Sequence, residues 1–387
     1  MATKRSTPLW PDVNGISDSD ERGNQSVRRH LSALLVHAAE SDDDEDRGKA
    51  IGMLRECFAA KQSAVVLQAL MDVSATTPEI SERVLDLAET ASSLRPLDSG
   101  HSEARLLATA VFPVSIGGRK GMHEDLPGEL GADALARMAE AFEVHPILPG
   151  GTEVVISPIL RWRADVADLS FCEISQLGEE LEARWRGGSP QVAGYTSENL
   201  TPGLRYVVIG CVGLDDLSLS SINSAALPPS EKIRAWCAAI REVLCAAIGA
   251  SSGELDVQVG PVQPIRSGVM SGELLWARQV FELETRRHLG EGAAPPDLSV
   301  TVQVCERYGA PAMLEVTYAR PQGIPGPVWE RTAHFPIPGG ADLDLILMMV
   351  GEIIGATGVR TVPQLLGHTR ELSGAGYLPQ DTGGRIH

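Results

Sequence analysis

The sequence predicts an α+β protein: an N-terminal helical domain, then two tandem duplicated α+β units and part of a third, with mixed or antiparallel sheets. Three observations predict it. Residues 228–264 read as an amphipathic helix, a Gly-Ser turn and a short alternating strand stopped by proline. The same succession occurs about a hundred residues earlier. Residues 27–95 carry helical periodicity throughout.

In the central helix Ile233, Trp236, Cys237, Ile240, Leu244, Ala247 and Ile248 form one apolar stripe, and Lys232, Arg234, Arg241 and Glu242 fall between them on the solvent side. Pro228, Pro229 and Ser230 supply a start signal, because the N–H groups of a first turn lack partners in any case. Gly249 supplies the stop. Leu255, Val257 and Val259 then alternate with Asp256 and Gln258, as in a strand with one buried face, until Pro261 ends the ladder.

Residues 1–26 are polar and aperiodic and read as a mobile arm. The helical domain, 27–95, carries stripes at Leu31, Leu34, Leu35 and Ala38, at Ile51, Leu54 and Phe58, and across 63–72. A fourth helix is expected to open at Thr77-Pro78-Glu79, with threonine as N-cap, and to run through Ile80, Val84, Leu87 and Ala91. Residues 94–102 read as a linker. The acidic run Asp42-Asp43-Asp44-Glu45-Asp46 lacks the spaced oxygens and glycine of a calcium loop and reads as a solvated loop or a helix N-terminus.

The two units span 104–190 and 204–292. Strand 107–115 corresponds to 206–214, helix 132–143 to 231–248, strand 153–158 to 254–261, and helix 171–185 to 272–288. Four elements in one order at one offset point to duplication, so the two halves should carry their helices over equivalent sheet faces. Region 297–370 reads as an antiparallel meander (298–304, 313–318, 328–335), then a helical stripe at Leu343, Ile346, Leu347, Val350 and Ile354 and a short strand at 359–362. This alternation approaches the split β-α-β arrangement. Residues 371–387 read as a flexible tail.

Composition narrows function by exclusion. The 387 residues carry a net charge of −18, which repels nucleic acid and anionic membranes unless a basic patch intervenes. Aromatics are only 4 %, too few for base-stacking platforms. Arginine outnumbers lysine 28 to 5, the usage of a GC-rich bacterial genome. The scattered Cys57, Cys172, Cys211, Cys237, Cys245 and Cys305 have no metal-ligand spacing and read as reduced buried thiols. A polar first 25 residues and the lack of any apolar run of 18 point to the cytoplasm.

No catalytic constellation survives its context. Gly249-Ala250-Ser251-Ser252-Gly253 has the G-x-S-x-G spacing, but a helix precedes it and a strand follows, the reverse of a nucleophile elbow. His123-Glu124 opens like a zincin motif, and Pro127 stands where the second histidine belongs. The nine histidines give no metal site, and no cofactor motif is present. Gly117-Gly118-Arg119-Lys120-Gly121 reads as a loop tip without Walker spacing, yet Arg119 and Lys120 make it the most basic loop of the duplicated part and the place for an anionic partner. Trp162, Trp185, Trp236, Trp276 and Trp329 lie in apolar patterns and read as core.

The strand Arg205-Tyr206-Val207-Val208-Ile209-Gly210, together with Ser157-Pro158 and the helix start Pro228-Pro229, resembles in order an uncharacterised betaproteobacterial domain family of unknown function. The resemblance spans about residues 105–340 and implies no active residues. The sequence therefore favours a non-catalytic interaction or scaffold protein that self-assembles or binds a protein partner. The alternative is an enzyme whose site lies in the crevice between the two units.

Overall fold

The computed structural model describes residues 21–41, 43–97, 105–118, 128–188, 203–214, 217–223, 230–248, 255–290, 298–305, 312–320, 328–339, 341–357, 359, 364–365 and 384–385. Its class is α+β, with a helical N-terminal region followed by antiparallel sheets.

The helical region contains α1 (Glu21–Glu40), α2 (Asp44–Ala59), α3 (Ser63–Thr76), a 3-10 turn at Pro78–Ile80 and α4 (Ser81–Ser93). Leu31, Leu35, Leu54, Leu70 and Val84 form its core at the predicted helical spacing. The acidic run opens α2: the Asp43 carboxylate accepts from the Glu45 amide at 2.9 Å, and Asp44, Glu45 and Asp46 fill the first turn, where the helix dipole favours them. Thr77 behaves differently from expectation. Its side chain makes no capping bond, and Pro78 begins a tight 3-10 turn ahead of α4.

The expected linker contains a strand, β1 (Leu94–Leu97), paired antiparallel with β2 (Arg105–Gly118). The chain continues through α5 (Ala132–Val144), β3 (Glu153–Trp162), α6 (Arg163–Ala167), α7 (Phe171–Trp185), β4 (Gly203–Leu214), α8 (Leu219–Ile222), α9 (Glu231–Ala247), β5 (Leu255–Val259), β6 (Gln263–Pro264) and α10 (Ile265–Gly290). The Ser230 hydroxyl accepts from the Ile233 amide at 3.3 Å and caps α9 as its sequence position predicts.

These strands form one sheet rather than two. Strand β2 pairs with β4, β3 lies beyond β4, and β1, β6 and β5 follow one another along the opposite edge of β2. All these pairings are antiparallel, so β2 and β3 run the same way with β4 between them, and β4 and β5 run the same way with β2 between them. The halves thus interlock as two split β-α-β units, each inserting a strand into the other. The expectation of tandem units with separate sheets gives way to this interleaving.

Side-chain alternation divides the sheet cleanly. Ala108, Ala110, Phe112 and Val114 of β2 join Val207, Ile209 and Cys211 of β4 on the face covered by α5 and α9. Leu107 and Val111 join Tyr206, Val208 and Val212 on the opposite face, under α7 and the start of α10. The helices of the two halves therefore do lie over matching faces.

Helix α10 is longer than the predicted 272–288, starting at Ile265 and running for 26 residues. Two close approaches account for its first turns: a Cβ on Gly268 would collide with the Val111 side chain, and one on Gly272 with the Tyr206 ring. Beyond them α10 leaves the first sheet and enters a second core, where Ala277 and Phe281 pack against Val316, Tyr318 and Phe335. That core belongs to the predicted meander, β7 (Ser299–Cys305), β8 (Met313–Ala319) and β9 (Glu330–Pro336), together with α11 (Leu343–Ala356). The Glu284 carboxylate accepts from the His334 amide at 2.8 Å, so α10 also occupies part of the outer edge of β9. Two short strands, β10 (Gln364–Leu365) and β11 (Gly384–Arg385), extend the sheet beyond β7. The strand expected at 359–362 lies, apart from Val359, outside the described residues.

Candidate functional site

Arg119 and Lys120, the residues selected for an anionic partner, lie outside the described residues, as do His123, Glu124 and the loop 249–253. Gly117 is described, and its α-carbon lies so close to Gln279 and Leu283 of α10 that a side chain would be crowded there. This end of β2 is therefore roofed by a helix up to the point where the basic loop begins.

The crevice between the halves is a filled seam. Trp236, fully buried on α9, meets Phe112 of β2 edge-on at 5.3 Å and Phe142 of α5 at 5.0 Å between ring centroids. Met138, Leu160 and Ile209 complete this part of the core. Trp236 thus meets its predicted role, Trp185, Trp276 and Trp329 are partly buried and pack against the cores, and Trp162 is partly buried. Trp162 carries the guanidinium of the fully buried Arg205 on its ring face. The Trp185 indole donates to Glu153 at 2.8 Å, and with Arg105 it holds that carboxyl below the usual range.

Two depressions lie at the surface near the C-terminal end of α10. One, of about 430 Å³, is walled by Cys237 and Arg241 of α9, by Asp256, Gln258 and Val259 of β5, and by Arg286 of α10. The other, of about 280 Å³, lies between α10 and α11 against Glu282, Leu289, Ile353 and Thr357, and it too is bounded by Arg286. Arg286 therefore lies between two neighbouring open depressions, together termed the groove. Arg286 is ion-paired with Glu282 one turn earlier, whereas Arg241 is exposed and makes no ion pair with a described residue. The Cys237 thiol in the groove is pushed up to about 12 by burial, which suppresses the nucleophilic thiolate.

At the other end of α10, Glu89 of α4 is 7 % exposed and its carboxylate accepts from the Arg266 amide at 3.1 Å. A helical-region side chain thereby caps the first turn of α10. Burial holds Glu89 above the usual carboxylate range, with the Arg266 amide and guanidinium opposing that shift and Asp86 adding to it.

Among the described residues no three His, Cys, Asp or Glu side chains gather as a metal site, and all six cysteines are free thiols. No described helix is long and apolar enough to cross a membrane. Sequence reasoning missed the groove, since Arg241 reads as an ordinary solvent-facing helix residue and only the fold brings it and Arg286 to one cavity. The chain matches no family model, no curated protein and no solved structure.

Proposed function

We propose that the chain is a non-catalytic interaction protein of the bacterial cytoplasm that associates with itself. The observation that carries this reading is the seam at Trp236. An enzyme assembled from two such halves favours a pocket where the halves meet, and here that space is occupied by Phe112, Phe142 and Trp236. Two described depressions are instead open and on the outside, a form suited to contact with another macromolecule.

Light scattering on a dilution series tests the reading. The expected result is a weight-average mass above the 41.2 kDa monomer that declines on dilution. A constant monomer mass at every concentration contradicts it.

A further inference from the structure

We propose that the arginine-lined groove at the C-terminal end of α10 receives the acidic first turn of α2 from a second copy of the chain. This rests on the self-association reading and assigns its contact surfaces.

Charge supports the match. The chain carries −18 overall, yet the groove presents Arg241 with no ion pair to a described residue and Arg286 held by a neighbour on its own helix. Against these stand Asp256, whose carboxylate lies 3.4 Å from the Gln258 amide nitrogen, and Glu282. The α2 turn presents exposed Asp43, Asp44 and Glu45, with Lys49 one turn on pairing to Glu45 at 2.8 Å. Arg286 and Glu45 each pair with a neighbour on the same helix, a contact that exchanges readily for an intermolecular one.

Position makes the contact intermolecular. The helical region caps the first turn of α10 through Glu89 and Arg266, and the groove begins twenty residues further on, about 30 Å along a helix. Within α2 it is the C-terminal half that reaches the first sheet, where the Arg55 guanidinium donates to the Leu94 carbonyl at 2.8 Å. Its acidic turn therefore stands at the far end, away from the molecule's own groove. Complementary surfaces at two separate places on one chain give a head-to-tail contact, which extends into a chain or closes into a ring.

A charge swap in the full chain tests this by sedimentation velocity. R241E/R286E places acid against acid, and D44K/E45K places base against base, so each variant alone should associate at least about tenfold more weakly than the parent. An equal mixture restores an opposite-charge pair at every contact and should recover association, which falls again with added salt. Circular dichroism establishes that both variants are folded. Folded variants that assemble like the parent, or a mixture that stays monomeric while the parent assembles, overturn the groove assignment and leave self-association standing. A parent chain that is itself monomeric overturns both.

Discussion

Gln279, midway along α10, accepts a hydrogen bond from the Ser115 hydroxyl of β2, and neither side chain is exposed to solvent. The Gln279 amide nitrogen also donates to the Asp256 carbonyl of β5 at 2.6 Å. One side chain thus ties the long helix to strands from both halves of the sheet. Replacing Gln279 by Leu leaves the Ser115 hydroxyl buried without this acceptor, and the expected cost is about 1–3 kcal/mol in urea unfolding. The double variant S115A/Q279L should recover part of that loss, since removing both partners of a buried bond is cheaper than removing one. Additive losses would show that the two side chains do not interact.

Gly272 predicts a second coupling. A methyl group there meets the Tyr206 ring and hydroxyl, so G272A should destabilise by about 1–3 kcal/mol despite alanine's better helix propensity. The Tyr206 hydroxyl donates to the Val269 carbonyl at 3.0 Å, so Y206F carries a cost of its own. It also relieves part of the collision, and G272A/Y206F should lose less than the sum of the singles. Gly351 on α11 has open space around it, and G351A should stabilise by about 0.5–1 kcal/mol. Equal effects at both glycines would contradict the close approach.

These close contacts also explain what was legible in the sequence. The α9 stripe of Ile233, Trp236, Ile240 and Leu244 was readable because one face is buried and one is wet, a local periodic signal. The start of α10 was not, because Gly268 and Gly272 supply no apolar side chain and the helix serves two cores in succession. Strand β1 read as a linker, since Pro96 disfavours a strand and its pairing with β2 depends on a segment outside its own window. The matching order of elements in the two halves was visible, but the insertion of β4 between β2 and β3 is a long-range pairing that leaves no local trace. Interlocked split units produce two similar halves by topology alone, so that similarity does not by itself require a duplicated ancestor. The groove was invisible for the same reason, Arg241 and Arg286 being separated by β5 and most of α10.

Glu89 sets an acid-side dependence of stability. Its folded value is raised by burial, so the folded chain binds its proton more tightly than the unfolded one. The contribution is therefore fully present below the ordinary glutamate value of 4.5 and is lost as pH rises through the raised one. E89Q mimics the protonated form. The stability of the parent relative to E89Q should be highest near pH 4 and decline toward neutrality. A difference that grows with pH would mean that the Arg266 amide and charge outweigh desolvation.

Thiol reactivity should follow burial. Cys211 and Cys237 are both pushed up to about 12, with desolvation the principal cause, and should resist iodoacetamide in the folded chain at pH 8. Cys305, half-buried at the end of β7, should be labelled before the fully buried Cys211. Both resistant thiols should react once the chain is unfolded in guanidinium. Rapid labelling of Cys237 under native conditions would contradict a thiol pushed up to about 12.

The claim on which the functional reading depends is that two halves share one sheet and fill the space between them. Native-state hydrogen exchange in increasing denaturant measures this directly. The account predicts that amides of Val111, Ile156, Val208 and Val257, one from each of β2, β3, β4 and β5, converge on a single unfolding isotherm. Two isotherms, one grouping residues 105–185 and the other 203–290, would mean that the halves open independently and would contradict the interleaved sheet.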